Sequence, residues 1–127
     1  MGDYWQTIKG GLVETAEKAP GGWTPQDVFM QLVRGEATLH LVIVDKYYKG
    51  FLISKTIGTN GSKGLLIWIM HGDGSGNLMV DNMDQIRDWA RNIGAKRIQM
   101  QSPRKGWERV AKKLGFRVTQ IVYEQDV

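Results

Sequence analysis

The segment that decides the fold comprises residues 70–77 and reads Met-His-Gly-Asp-Gly-Ser-Gly-Asn. It follows an aliphatic run over 65–70, which is typical of a β-strand, and it precedes a stretch whose apolar residues recur at helical spacing. Glycines let the backbone curl with its N–H groups facing inward, and the positive end of a following helix favours an anion there. The segment therefore predicts a strand-to-helix turn that can cradle a phosphate group. A plain glycine loop capped by Ser75 or Asn77 is the alternative interpretation.

Hydrophobic periodicity on both sides of this segment predicts the remaining elements. Their order is helix, helix, three antiparallel strands, helix, strand, helix and strand. The helices are predicted over 4–19, 25–34, 79–93 and 103–114. The strands are predicted over 37–44, 48–57, 65–70, 96–101 and 116–123.

Turn and capping residues support this assignment. Thr24 and Ser102 precede prolines and are expected to cap the second and fourth helices. The Asn60-Gly61 pair suits a tight turn, so the strands on either side of it should pair antiparallel. The order predicts an α/β (α+β) fold, in which a mixed, mainly antiparallel, twisted sheet is flanked by four helices.

Length and composition exclude several classes of protein. At 127 residues the chain is expected to form one domain over 1–127. The absence of cysteine excludes disulfides, a thiolate nucleophile and a zinc–thiolate site. The histidines, His40 and His71, are too far apart for a ligand pair, so no metal site is expected. No apolar run reaches the roughly 18 residues that span a bilayer, and the N-terminus lacks a leader, so a cytoplasmic location is expected.

The sequence resembles the GCN5-related N-acetyltransferase (GNAT) superfamily. The resemblance rests on the order of elements, the glycine-rich turn and the sequence Lys-Lys-Leu-Gly-Phe over 112–116. The family's pyrophosphate motif is Gln or Arg, two residues, Gly, one residue, and Gly or Ala. His71, Gly74 and Gly76 occupy that spacing here.

Shorter segments resemble the small acetyltransferase-like proteins encoded by tailed phages, some of which are virion components. These segments are Thr-Pro at 24–25, Gly-Glu-Ala at 35–37, Gln-Ile-Arg-Asp-Trp-Ala at 85–90 and Arg-Lys-Gly-Trp at 104–107.

The resemblance implies an acetyl-CoA-dependent N-acetyltransferase that acts on a primary amine. It implies a sheet that parts between the third strand and the strand over 96–101, where the edge amides of Ile69 and Met70 align the pantetheine. The amides of 72–77 would hold the pyrophosphate, although Asp73 would repel it unless its side chain points outward. The cofactor-binding residues implied are Ile69, Met70, His71, Gly72, Gly74, Ser75, Gly76, Asn77, Arg104 and Lys105.

The chain departs from the family at the residues that move protons. Ala111 stands where the family often has a tyrosine that protonates the leaving thiolate, and the run over 65–70 has no glutamate to act as base. His71 has a suitable ordinary pKa and is the candidate catalytic base, with a capping or phosphate-binding role as the alternative. Tyr47, Tyr48 and Tyr123 are the possible substitutes for the missing acid.

A basic cluster near the C-terminus carries a further possibility. Eight cations and a single acid fall between Lys96 and Arg117, and the net charge of the chain is +4. A solvated face, a contact to a CoA phosphate, and a surface for nucleic acid or an acidic protein are the alternatives. Three functions are therefore carried forward: an N-acetyltransferase, a phage binding or virion-associated protein that keeps the fold without the reaction, and a nucleic-acid-binding module.

Overall fold

The computed structural model describes residues 5–18, 22–59, 61–73, 77–101, 107–119 and 121–127. The helices are α1 (Trp5–Lys18), α2 (Pro25–Val33), α3 (Leu78–Asn92) and α4 (Trp107–Lys113). The strands are β1 (Thr38–Val44), β2 (Tyr47–Thr59), β3 (Ser62–Gly72) and β4 (Arg97–Met100). Predictions that concern Tyr4, Ala19, Asn60, Ser102 and Pro103 lie outside the described residues.

The strands form one mixed sheet in the order β1-β2-β3-β4. The first two pairings are antiparallel, whereas β3 and β4 run parallel. The β2–β3 connection passes through Gly61, whose φ of +79° is the positive value that the predicted tight turn requires. The predicted fold class, a mixed and mainly antiparallel sheet with four helices, is confirmed.

The helices cover the two faces of the sheet. On one face, α1 and α2 enclose a core built on Ile8, Leu12, Val28 and Phe51. The opposite face carries a second core, in which α3 packs Met79, Met83, Ile86 and Ala90 against Leu52, Leu65 and Ile67. Both sides of β2 and β3 are therefore buried.

The predicted cap of α2 is present. The Thr24 hydroxyl accepts a hydrogen bond from the Asp27 N–H at 3.2 Å, and the Asp27 carboxylate accepts one from the Thr24 N–H at 3.0 Å. This reciprocal pair satisfies two backbone donors that the helix itself leaves unpaired. It fixes the start of α2 next to the connection from α1.

The predicted strand over 116–123 is wrong for the residues that the structure describes. Residues 116–119 and 121–127 are coil and pair with no described strand. Phe116 packs against the α3 core, whereas the side chains of Val118, Ile121, Val122 and Tyr123 remain exposed. Strand propensity alone does not form a strand, because the backbone also needs a neighbouring ladder.

No helix among the described residues has both the length and the apolar character that crossing a membrane requires.

Candidate functional site

The sheet parts beside the second half of β3. The β3–β4 ladder runs from Gly64 to Ile67 on β3, and its last pair is Ile67 with Met100. β3 continues to Gly72 and remains paired with β2 over this length. Within the described ranges, the edge of β3 from Trp68 to Gly72 that faces away from β2 has no strand partner. This gap lies where the resemblance to the GNAT superfamily implied an opening.

A β-bulge at Trp68 marks the point where the sheet parts. Ile53 pairs with Ile69 and Ser54 pairs with Ile67, so Trp68 is an extra residue on β3. Side chains normally alternate between faces, but the bulge places both Trp68 and Ile69 on the α1–α2 side, whereas Ile67 packs on the α3 side. A bulge bends and twists its strand, which turns the end of β3 away from the direction of β4.

The alternation of hydrogen bonds decides which amides of β3 face the opening. The Asp73 N–H donates to the Lys49 carbonyl at 2.8 Å, so these residues form a hydrogen-bonded pair. Hydrogen-bonded and open positions alternate along antiparallel strands, so the amide of Ile69 is directed at β2. The amides of Met70 and Gly72 are directed at the opening. The resemblance implied that the amides of Ile69 and Met70 would both line the opening. Of these two amides, only that of Met70 is directed at the opening.

Helix α3 begins next to this open edge. A side chain on Gly72 would lie 3.4 Å from the Leu78 side chain, so the end of β3 and the first turn of α3 are in van der Waals contact. Asn77 caps the helix, and its side-chain oxygen accepts from the N–H groups of Met79 and Val80 at 3.0 and 3.1 Å. The cap fixes where α3 begins, so the positive end of the helix lies close to the end of β3.

The Asp73 carboxylate at this end of the sheet has a basic neighbour. It lies 3.8 Å from the Lys49 ammonium group on β2, which places a compensating positive charge beside it. Gly74, Ser75 and Gly76, which complete the expected phosphate cradle, lie outside the described residues.

His71 lies on β3 itself, and its ring is directed at α1. The ring Nε2 is 3.2 Å from a carboxylate oxygen of Glu14, and the ring stacks on Phe51 with centroids 5.8 Å apart. A Cβ on Gly11 of α1 would lie 2.9 Å from His71 Nδ1. The imidazole therefore occupies a slot between β2 and α1, away from the start of α3.

The contact with Glu14 is the part of the site that the sequence did not predict. The two residues are 57 positions apart, and no spacing rule connects them. The only sequence signal was Gly10-Gly11 inside a helical pattern, because a glycine within a helix often allows another element to approach closely.

A pocket of about 590 Å³ opens on the same face of the sheet, between α2 and the bulge. Trp23 and Trp68 line it edge to face with their rings 6.3 Å apart, and the Lys55 ammonium group lies 3.4 Å from the centre of the Trp68 ring. Burial lowers the pKa of Lys55, and the nearby Glu36 carboxylate opposes that effect. The pocket thus already accommodates an amine on an aromatic surface, beside acidic side chains.

Of the three tyrosines considered as substitutes for the acid missing at Ala111, Tyr48 is the half-buried one. Burial, and then the charge of Asp73, raise the pKa of the Tyr48 phenol, so it keeps its proton at neutral pH. Tyr47 and Tyr123 are exposed on the surface.

Three residues of the basic cluster line a groove together with two arginines of α3. The groove has a volume of about 1060 Å³ and is formed by α3, β4, the end of β2 and the stretch that follows α4. Arg104 and Lys105 lie outside the described residues. The cations that line the groove are Arg87, Arg91, Lys96, Arg97 and Arg117.

Several solved structures with the same fold are described as acetyltransferases. A candidate acetyl transferase from Pyrococcus furiosus is 13% identical, and the alignment covers 99% of this chain and 95% of that one with a TM-score of 0.78. The ribosomal-protein-alanine N-acetyltransferase of Brucella melitensis is 14% identical over 98% of this chain and 92% of its own, with a TM-score of 0.72. A predicted acetyltransferase of Clostridium acetobutylicum, solved with acetyl-CoA, is 14% identical over 97% and 90%, with a TM-score of 0.70.

No family model and no curated protein matches the sequence. At these identities the similarity establishes the fold, which is that of the GNAT acetyltransferases.

Proposed function

We propose that this protein binds acetyl-CoA in the opening beside β3 and transfers the acetyl group to a primary amine. The observation that carries the proposal is the release of β3 from β4 after Ile67, which leaves the amides of Met70 and Gly72 facing a gap next to the start of α3. A structure with the same fold binds acetyl-CoA. That cofactor would supply an acyl group already activated as a thioester.

The residues around the opening fit such a ligand. Two edge amides on alternate residues suit the pantetheine arm, whose own amide groups can pair with them as a strand would. The positive end of α3 suits a pyrophosphate, and Lys49 offsets the charge of Asp73 that would otherwise repel it. In this proposal the amides of Gly74, Ser75, Gly76 and Asn77 hold the pyrophosphate, and Arg104 and Lys105 contact a further CoA phosphate.

The acceptor would enter from the α1–α2 side. Trp68 connects the opening beside β3 with the aromatic pocket. Its backbone lies at the point where the sheet parts, and its side chain lines the pocket with Trp23 and Lys55. Aromatic faces and neighbouring carboxylates stabilise an ammonium group, so the pocket suits an alkylamine. An amine bound there would lie on the same face of the sheet as His71 and Glu14.

In this proposal, residues on the α1–α2 face of the sheet transfer the protons. His71, oriented by Glu14, would take the proton that the amine must lose before it can attack a thioester. Tyr48, which retains its proton at neutral pH, is the proposed donor to the leaving thiolate. Positioning of amine and thioester would supply the rest of the rate enhancement.

A second candidate is a protein that keeps the fold and has lost the reaction, such as a phage-encoded virion or binding component. The observation that favours it is the methyl side chain of Ala111 where the family often carries its acid, together with the lack of a glutamate on β3.

Calorimetric titration with acetyl-CoA and with free CoA tests the proposal. We expect micromolar binding that Gly74→Glu abolishes, because the substitution places a carboxylate in the proposed phosphate cradle. Gly10→Glu is the matched control, since it adds the same charge on α1 at a position where a Cβ meets nothing within 4 Å. Absence of binding at millimolar cofactor would overturn the proposal. Binding without release of free thiol in the presence of a panel of alkylamines would favour the second candidate.

A further inference from the structure

Lys55 places an amine of the chain itself inside the aromatic pocket. It lies on β2 opposite Leu66 of β3, and its ammonium group lies 3.4 Å from the centre of the Trp68 ring. Trp23 packs edge to face against the same ring, with centroids 6.3 Å apart. Aromatic faces hold cations in this way. Lys55 therefore occupies the surface that the proposed function assigns to the acceptor amine.

Lys55 also lies close to the place where the sheet parts. Its neighbour Ser54 pairs with Ile67, which is the last residue of β3 that pairs with β4. The bulge then puts the Trp68 side chain on the α1–α2 side, so the ring that Lys55 covers belongs to the first residue of the opening. The carbon stem of a lysine is long and flexible, so its nitrogen can move from the ring toward the backbone of Trp68.

The surroundings of Lys55 favour the neutral amine, which is the form that attacks a carbonyl group. Burial lowers the pKa of Lys55, and the Glu36 carboxylate opposes this effect. Among the described residues, no carboxylate lies within ion-pair distance of Lys55 Nζ. By contrast, Lys49 is paired with Asp73, and Lys63 donates to a backbone carbonyl, contacts that retain the proton. A partly desolvated lysine outside an ion pair is the better nucleophile.

We infer that the protein acetylates its own Lys55 from an acetyl thioester bound in the opening beside β3. The inference rests on the proposed function, because that function supplies the thioester. The neutral Nζ forms a bond to the acetyl carbon, the carbon–sulfur bond breaks, and the proton that the nitrogen loses passes to the leaving thiolate. The products are an amide on Lys55 and a free thiol, so no further reactant is needed.

Acetylation of Lys55 would also change the pocket. A neutral amide makes no cation–π contact and places no positive charge near Glu36. The face of Trp68 is then left for a free alkylamine, and the Glu36 carboxylate attracts that amine instead of Lys55. The modification thus converts a pocket filled by the chain's own amine into one that is open to an acceptor.

Peptide mapping by mass spectrometry after incubation with acetyl-CoA tests the inference. We expect one acetyl group on Lys55, formed about 100-fold faster than on the exposed Lys9 of α1, because a positioned amine reacts at a high effective concentration. The rate constant should not depend on protein concentration, and the selectivity should disappear in urea. Tryptophan fluorescence should change with the modification. Lys55→Arg should abolish both signals, whereas the matched control Lys9→Arg should preserve them.

Calorimetry with acetyl-CoA separates this inference from the proposed function. If the cofactor binds and Lys55 is acetylated no faster than Lys9, the inference is wrong and the proposed function is unaffected. If the cofactor does not bind, both are wrong.

Two further results identify where the acetyl group comes from. Gly74→Glu is expected to abolish acetyl-CoA binding and should also abolish acetylation of Lys55, whereas Gly10→Glu should preserve both. Acetylation at the wild-type rate in a Gly74→Glu protein that binds no cofactor would show simple chemical reactivity. A rate constant that rises with protein concentration would show that one copy modifies another. Either result overturns the inference.

Discussion

The imidazole Nε2 of His71 on β3 lies 3.2 Å from a carboxylate oxygen of Glu14 on α1. The contact is possible because Gly11 has no side chain, so α1 approaches the sheet closely at that point. A carboxylate on one ring nitrogen sets the orientation and the tautomer of a histidine, and it leaves Nδ1, which lies beside Gly11, as the nitrogen that can take a proton.

Replacement of His71 should therefore affect the reaction more than cofactor binding. His71→Ala should lower kcat for acetyl transfer about 100-fold, and Glu14→Gln should lower it less, because the base remains and only its orientation is lost. Both variants should bind acetyl-CoA like the wild type. Thiol release measures the rate and calorimetry the binding, with Glu17→Gln on the same helix as the control. A His71→Ala protein with a normal rate would remove His71 from the mechanism.

The neighbouring glycines of α1 should respond in opposite ways to alanine. Gly10→Ala should raise the free energy of unfolding by up to about 1 kcal/mol, since alanine favours helix and a Cβ there meets nothing within 4 Å. Gly11→Ala should lower it by about 1–3 kcal/mol, since its Cβ would lie 2.8 Å from the Phe51 ring. Urea unfolding of the two variants measures the difference. Equal effects would mean that α1 does not pack closely at Gly11.

The stability of the fold should decrease in mild acid because of His40. Burial lowers the pKa of His40 from its ordinary value of 6.5, and its Nε2 lies 2.9 Å from the buried Ser54 hydroxyl. Below about pH 6.5 the unfolded chain takes up a proton that the folded protein does not, so the free energy of unfolding falls as the pH decreases toward the lowered pKa. Urea unfolding at several pH values should give a flatter profile for His40→Gln, with His71→Gln as the control. A profile for His40→Gln as steep as that of the wild type would assign the acid sensitivity to other groups.

Substitutions of Asn77 should separate the stability of α3 from cofactor binding. Asn77→Ala should cost about 1 kcal/mol of unfolding free energy, because the cap accepts from two backbone N–H groups. Asn77→Asp should preserve stability, since aspartate also caps and its charge suits a helix start, but it should weaken acetyl-CoA binding about fivefold by repelling the pyrophosphate. Thermal unfolding and calorimetry provide the two measurements. Unchanged affinity in Asn77→Asp would place the pyrophosphate elsewhere.

The aromatic pocket should accept an amine more readily when Lys55 is removed. Lys55→Met keeps the apolar stem and frees the face of Trp68 that the ammonium group now covers. Binding of a small alkylammonium ion should then strengthen about fivefold, the value of a cation–π contact of roughly 1 kcal/mol. Tryptophan fluorescence reports the titration, and Trp68→Leu should abolish the gain. If Lys55→Met binds no better than the wild type, the acceptor does not use this surface.

The order of the helices and the first four strands, the caps at Thr24 and Asn77 and the turn at Gly61 could be predicted from the sequence alone. These features depend on residues within a few positions of one another, so a short stretch of sequence is enough to predict each of them. The opening beside β3 was expected only because the sequence resembles the GNAT superfamily, in which the sheet parts at this place.

Only the tertiary structure decided the bulge at Trp68, the contacts between distant side chains and the conformation of the segment after Phe116. One extra residue at Trp68 reverses which face of the sheet the following side chains occupy. It also shifts the alternation of the backbone amides, so the amide of Met70 is directed at the opening and the amide of Ile69 at β2. The contacts of His71 with Glu14 and of Lys55 with Trp68 join residues that are distant in the sequence or on different strands. The segment after Phe116 has the composition of a strand but lacks a paired neighbour in the described chain. A strand needs both a suitable sequence and a partner, and only the folded arrangement determines whether the partner is there.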